Sequence, residues 1–155
     1  MSKTLIAYFS ASGVTARAAK EMADAVGADL YEIRPAEPYS SADLDWTDKK
    51  SRSTLEMNDP ACRPAIAGPA ADLDSYDTVF LGFPVWWYVE PRIIDTFLEG
   101  HDFSGKTVIP FATSGGSGIG QAEHSLRARC PKAGWKPGKL VNHGAAAWAK
   151  SVLGA

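Results

Sequence analysis

The chain has 155 residues, of which 45% are hydrophobic and 22% charged; this is the make-up of one globular domain around a single core. Eighteen acidic against sixteen basic residues leave a formal net charge of −2, so there is no electrostatic footprint for nucleic acid and no basic block for a membrane surface. The apolar run in "MSKTLIAYFS" is too short for a secretory signal or a membrane span, and Cys62 and Cys130 have neither metal-ligand spacing nor a disulfide framework. The expected location is cytoplasmic.

Lys3–Phe9, "KTLIAYF", is a short apolar run and reads as a buried strand. From Gly13 the period changes: Val14, Ala18, Met22 and Val26 recur every fourth residue, with Ala19 and Ala23 widening the stripe, which predicts an amphipathic helix ended by Gly27. "ADLYEIRP" is a second strand stopped by Pro35. From Arg34 to about Ala71 the chain is polar and proline-rich, and only "SADLDWTDKKSRSTLEMND" within it has a helical pattern, with Ser41 as the expected cap. So long a connection is expected to act as a lid or binding segment. Tyr76–Val85 is a third, central strand. Pro91 opens a helix that buries Ile93, Ile94, Phe97 and Leu98. "KTVIPFATS" is a fourth strand, "GIGQAEHSLRARC" a helix with Ile119, Ala122 and Leu126 inward, "GKLVNHG" a short edge strand, and "AAAWAKSVL" a last helix packing Trp148 and Val152. Alternating strands and helices predict a doubly wound parallel sheet with helices on both faces. Ligands of such sheets bind beyond the carboxyl ends of the strands, which points to the loops after strands one, three and four.

Those three loops carry the unusual residues. In the first, Ser10, Ser12, Gly13, Val14, Thr15 and Ala16 lie at a helix start. Unpaired N–H groups, a positive dipole end and three hydroxyls suit an anion; plain helix capping by Ser12 would use the same residues. Neither G-x-x-x-x-G-K-S/T nor G-x-G-x-x-G is present. In the second loop, Pro84 and Val85 lead into Trp86, Trp87 and Tyr88. Three consecutive aromatics between a strand and a helix cannot all face the core, so at least one should be exposed or stacked on a ligand. The third loop, Thr113, Ser114, Gly115, Gly116, Ser117 and Gly118, leaves backbone groups bare for a flat, polar molecule. An anion site, an aromatic platform and a glycine-rich rim on one edge fit a planar heteroaromatic with a phosphate tail.

On these residues the chain resembles the flavodoxin-like family of FMN-binding proteins over its whole length, as a small bacterial-type flavodoxin with a "PVWWY" loop. The resemblance implies strand order 2-1-3-4-5, with FMN at the switch point. It also implies phosphate held at Ser10, Ser12, Gly13 and Thr15 without a lysine or arginine, and the flavin ring between residues 84–88 and 113–118. Two departures stand out. Tyr88 follows the paired tryptophans where a small residue is common, and residues 113–120 contain no aromatic to complete a sandwich around the ring. Tyr39 and Trp46, in the long polar segment, are candidates to cover the open face.

The flavin would carry the electrons, so no side-chain nucleophile and no metal ligand is expected. Two functions follow. One is an NADH- or NADPH-dependent reductase of quinones or similar small acceptors, favoured by an exposed ring face and a lid. The other is a one-electron carrier between larger redox partners, for which a strong acidic field would be expected and is missing from the overall charge. A flavin-free partner-binding module is the third reading. A homodimer would cover the bare ring face, although no residue points to one. Cys62 beside Arg63 reads as an inert loop thiol or, less simply, a reactive one; His101, His124 and His143 read as surface or loop residues; and "DKKSR" (48–52) reads as a solvated helix face or a contact for a nicotinamide phosphate.

Overall fold

The computed structural model describes residues 3–11, 13–114 and 118–153. Its strands are β1 (Thr4–Tyr8), β2 (Asp29–Glu32), β3 (Thr78–Pro84), β4 (Thr107–Thr113), β5 (Gly134–Trp135) and β6 (Lys139–Leu140). Its helices are α1 (Val14–Val26), α2 (Arg52–Asn58), α3 (Arg92–Glu99), α4 (Gly120–Arg129) and α5 (Ala145–Val152). All strand pairs are parallel, in the order β2-β1-β3-β4-β5, with β6 also on β4. No helix among the described residues is long and apolar enough to cross a membrane.

Alternation of side chains across the pleat divides the core in two. Leu5, Ala7, Phe9, Val79, Leu81, Phe83 and Val108 face α3 and α4, where they meet Ile93, Ile94, Phe97 and Leu126. Ile6, Phe80, Ile109 and Phe111 face α1 and α5, where they meet Ala19, Met22 and Ala149, with Val141 after β6 in the same cluster. Because both faces are covered, the central strands are apolar throughout rather than alternating. Gly82 is required by this packing: the Phe111 ring lies across it, and a Cβ there would stand 2.2 Å from a ring carbon.

Two elements differ from the sequence reading. The helical pattern over 41–59 yields a helix only at Arg52–Asn58, capped by Ser51 rather than Ser41, with Ser51 Oγ accepting from Thr54 N. Upstream, Ser40 and Asp43 exchange side-chain-to-backbone bonds as at a helix start. Asp45 and Asp48 then accept from the N–H groups of Thr47 and Lys50 two residues on, which turns the chain out of the helical path. So "DKKSR" is turn and helix start, not a helix face. The fifth strand is also in two pieces, because Gly134–Trp135 pairs with Thr107–Val108 before Lys139–Leu140 pairs with Phe111–Ala112. Pro137, which has no N–H to donate, lies in the interruption.

Candidate functional site

The first loop leaves β1 and enters α1 at Gly13, the N-cap residue, whose φ of 92° is left-handed. A side chain would strain that backbone, which is the physical reason for glycine. Its N–H donates to Ser10 Oγ at 3.0 Å. Among the described residues no side chain caps α1 and its first turn holds no acidic residue, so none of them places a negative charge at the positive end of the helix. The N-cap position falls on Gly13; Ser12, the capping residue expected from the sequence, lies outside the described residues. Val14 is exposed and Ala16 partly buried. Thr15 is turned inward, its hydroxyl 2.8 Å from that of Thr113 at the end of β4, and both are buried. That bond joins the first loop to the third.

The second loop is a tight turn. Trp86 N donates to Val89 O at 2.9 Å and Val89 N to Trp86 O at 3.1 Å, which leaves Trp87 and Tyr88 at the tip. Both have positive φ, 49° and 72°. This is the backbone of a two-residue hairpin turn that ordinarily takes asparagine and glycine, so two bulky residues here are strained. Trp86 points inward, edge-on to Phe9 (5.7 Å) and Tyr39 (5.4 Å), while Trp87 and Tyr88 are 39% and 58% exposed. The expected outward aromatic is therefore a pair.

Directly after the turn, Glu90 is fully buried against Asp95, also fully buried. Ser125 Oγ donates to Glu90 Oε2 at 3.0 Å; among the described residues Glu90 Oε1 and both Asp95 oxygens meet no donor, with Arg92 and Arg129 3.8 Å from Asp95 Oδ2. Burial, and then the neighbouring Asp95, push the Glu90 carboxyl up to about 9. A proton on Glu90 shared with Asp95 gives one oxygen of each carboxyl a partner.

In the third loop, Ser114 is clamped by Asn142, which accepts from its N–H at 2.9 Å and donates to its carbonyl at 2.6 Å. Asn142 has no sequence signal beyond its place after the last strand. Gly118 has open space where a Cβ would be; Gly115, Gly116 and Ser117 lie outside the described residues. The three loops meet at a cavity of about 320 Å³ lined by Val14, Pro84, Val85, Trp86, Thr113, Ser114 and Asn142. Across Trp86 is a second, of about 180 Å³, lined by Ala11, Leu44, Trp46, Ser53, Pro84, Trp86 and Trp87. Trp46, from the long polar segment, thus faces the aromatic loop, and Tyr39 touches Trp86 from the same segment.

The rival sites have structural employment. Arg63 is paired with Glu99 through two bonds of 2.9 Å, and burial raises the Cys62 thiol, which disfavours its thiolate. His101 bonds Phe97 O through Nδ1 and accepts from Ala71 N through Nε2. Arg52 lies over the Tyr39 ring and bonds Glu56 and the Glu37 carbonyl, so it is committed within the segment. Among the described residues no group of three His, Cys, Asp or Glu is placed to hold a metal ion.

Five parallel strands in this order, with the unusual residues gathered at their carboxyl ends, define a doubly wound nucleotide-binding type of fold. The flavodoxin family model matches residues 3–152, and the chain belongs to that family. It is 54% identical to a candidate flavoprotein from Bacteroides eggerthii, with a TM-score of 0.95 over 99% of this chain and 97% of that one. A second candidate flavoprotein, from Bacteroides uniformis, is 52% identical with a TM-score of 0.93, over 99% of each chain. A flavoprotein from Lactobacillus acidophilus, solved in complex with FMN, shares the fold at 23% identity and a TM-score of 0.73, over 89% of this chain and 92% of that one. No curated protein matches the chain.

Proposed function

We propose that the chain binds FMN at the 320 Å³ cavity and acts as a reductase that passes electrons from NADH or NADPH to quinones or similar small acceptors. The observation that carries FMN is the meeting of the α1 start, the Trp86 wall and the Ser114 rim around one cavity. The residues fit the group. N–H groups at the start of α1, with the hydroxyls of Ser10 and Ser12, hold the phosphate; Gly13 lets the backbone approach; Pro84–Tyr88 and Thr113–Gly118 flank the ring. Thr15 acts by fixing this loop against Thr113. When bound, FMN supplies the redox chemistry, and the protein supplies orientation and shielding from water.

The reductase reading is supported by the 180 Å³ cavity between Trp86, Trp87 and Trp46. It offers a flat nicotinamide or quinone an aromatic slot next to the flavin site. The segment 34–71 serves as its lid, with Tyr39 packed against Trp86 and the largely exposed Trp46 at the rim of the slot. The test is the visible spectrum of the protein supplemented with FMN, desalted, and mixed with NADH or NADPH under argon. A retained two-band flavin spectrum that bleaches promptly is the expected result. Bleaching only with a separate reductase would replace this reading by that of a one-electron carrier, and no retained flavin would overturn both.

A further inference from the structure

A third cavity, of about 440 Å³, lies on the other side of the first loop, between the ends of β1 and β2. One wall is Phe9, Ser10 and Ala11; the opposite wall is the stretch around Pro35 and Pro38. That stretch is held by backbone pairing: Pro35 bridges Ile66, Ala67 N donates to Arg34 O at 2.7 Å, and Ala36 N to Ala65 O at 2.8 Å. The cavity is therefore preformed rather than a gap in a loose loop.

Two charged side chains line it, Glu32 and Arg34. Neither makes a hydrogen bond or ion pair with any described residue, whereas Arg52, Arg63 and Arg92 are each bonded inside the protein. The three cavities also share lining residues. Ala11 lines both the 440 Å³ and the 180 Å³ cavities, and Pro84 and Trp86 line both the 180 Å³ and the 320 Å³ ones. Ala11 is thus the residue shared by the middle slot and the cavity that holds the carboxylate of Glu32 and the guanidinium of Arg34.

We propose that the 440 Å³ cavity takes the ADP half of the nicotinamide donor and that it selects NADH over NADPH; this rests on the reductase reading above. Glu32 accepts from the 2′- and 3′-hydroxyls of the adenosine ribose, a charge-assisted pairing that a carboxylate makes with a diol. Arg34 donates to the pyrophosphate, and Pro35, Pro38 and Ala67 give the adenine an apolar wall. A 2′-phosphate would bring its negative charge against Glu32, and this repulsion is the source of the selectivity.

The test is calorimetric titration of the FMN-supplemented protein with ADP-ribose and with 2′-phospho-ADP-ribose, neither of which can deliver electrons. ADP-ribose is expected to bind about tenfold or more tightly than its 2′-phosphorylated form. Arg34→Gln should weaken ADP-ribose by a similar factor, and Glu32→Gln should close the gap between the two ligands. Both residues are exposed, so neither change disturbs the core. Equal binding of the two ligands, or binding indifferent to both substitutions, overturns the proposal. If ADP-ribose behaves as expected while NADH leaves the flavin oxidised, the reductase reading falls and the ADP site stands. If NADH bleaches the flavin but ADP-ribose ignores Glu32 and Arg34, the reverse holds.

Discussion

Glu90 holds a proton at pH values where an ordinary glutamate has lost it, because burial beside Asp95 makes a second charge there too costly. Ser125 and the proton shared with Asp95 satisfy it, while Arg92 and Arg129 are the cations that face the pair. The folded-state value, about 9, lies above the usual 4.5, so the folded chain binds a proton that the unfolded chain releases. The stability contribution is full below about pH 4.5 and is lost as pH rises towards about 9. Urea unfolding at pH 5, 7 and 9 should show that decline, and Glu90→Gln should flatten it; an unchanged slope in the variant would refute the assignment. The Thr15–Thr113 bond makes a separate prediction at the same scale. Thr15→Val strands a buried hydroxyl and is expected to cost about 1–3 kcal/mol of stability. It should also weaken FMN more than riboflavin in fluorescence titrations, since only FMN presents a phosphate to the loop. Equal losses for the two flavins would remove the phosphate from this site.

Among the elements, the Trp86–Val89 turn has the clearest conflict between local preference and structure. Trp87 and Tyr88 stand in left-handed backbone, at about 1–2 kcal/mol each, and such strain gathers at functional sites. Replacing the pair by asparagine and glycine (Trp87→Asn with Tyr88→Gly) should raise stability by about 1–3 kcal/mol while lowering FMN affinity and the quenching of flavin fluorescence. Thermal unfolding and titration of the same variant check both; a gain in stability with no loss of FMN would make the aromatics ornamental to binding. The sequence announced aromatics that the core could not hold, yet it did not reveal the turn, because W-Y is not a turn signal. Helix α2 was only half legible for a related reason. The 3.6-residue pattern runs on through 41–51, but Asp45 and Asp48 compete with it by local bonds. In β5 and β6 too few residues alternate for a period to be read at all.

At the scale of the molecule, the segment 34–71 is closed at its base by the Pro35–Ile66 bridge and reaches the aromatic loop through Tyr39 and Trp46. As a lid, it should show slower hydrogen exchange over residues 36–64 when FMN is added, and no change there would count against that role. What the sequence determined by itself was the succession of strands and helices, the parallel sheet they form and the three loops at its edge. Periodicity, caps and glycines act between near neighbours and are written in consecutive residues. The tertiary structure alone decided which side chains meet: Thr15 with Thr113, Asn142 with Ser114, Glu90 with Asp95 and Ser125, and Glu32 and Arg34 around one cavity. Most of these partners lie tens of residues apart, and their pairing depends on strand order, register and burial that no local pattern records.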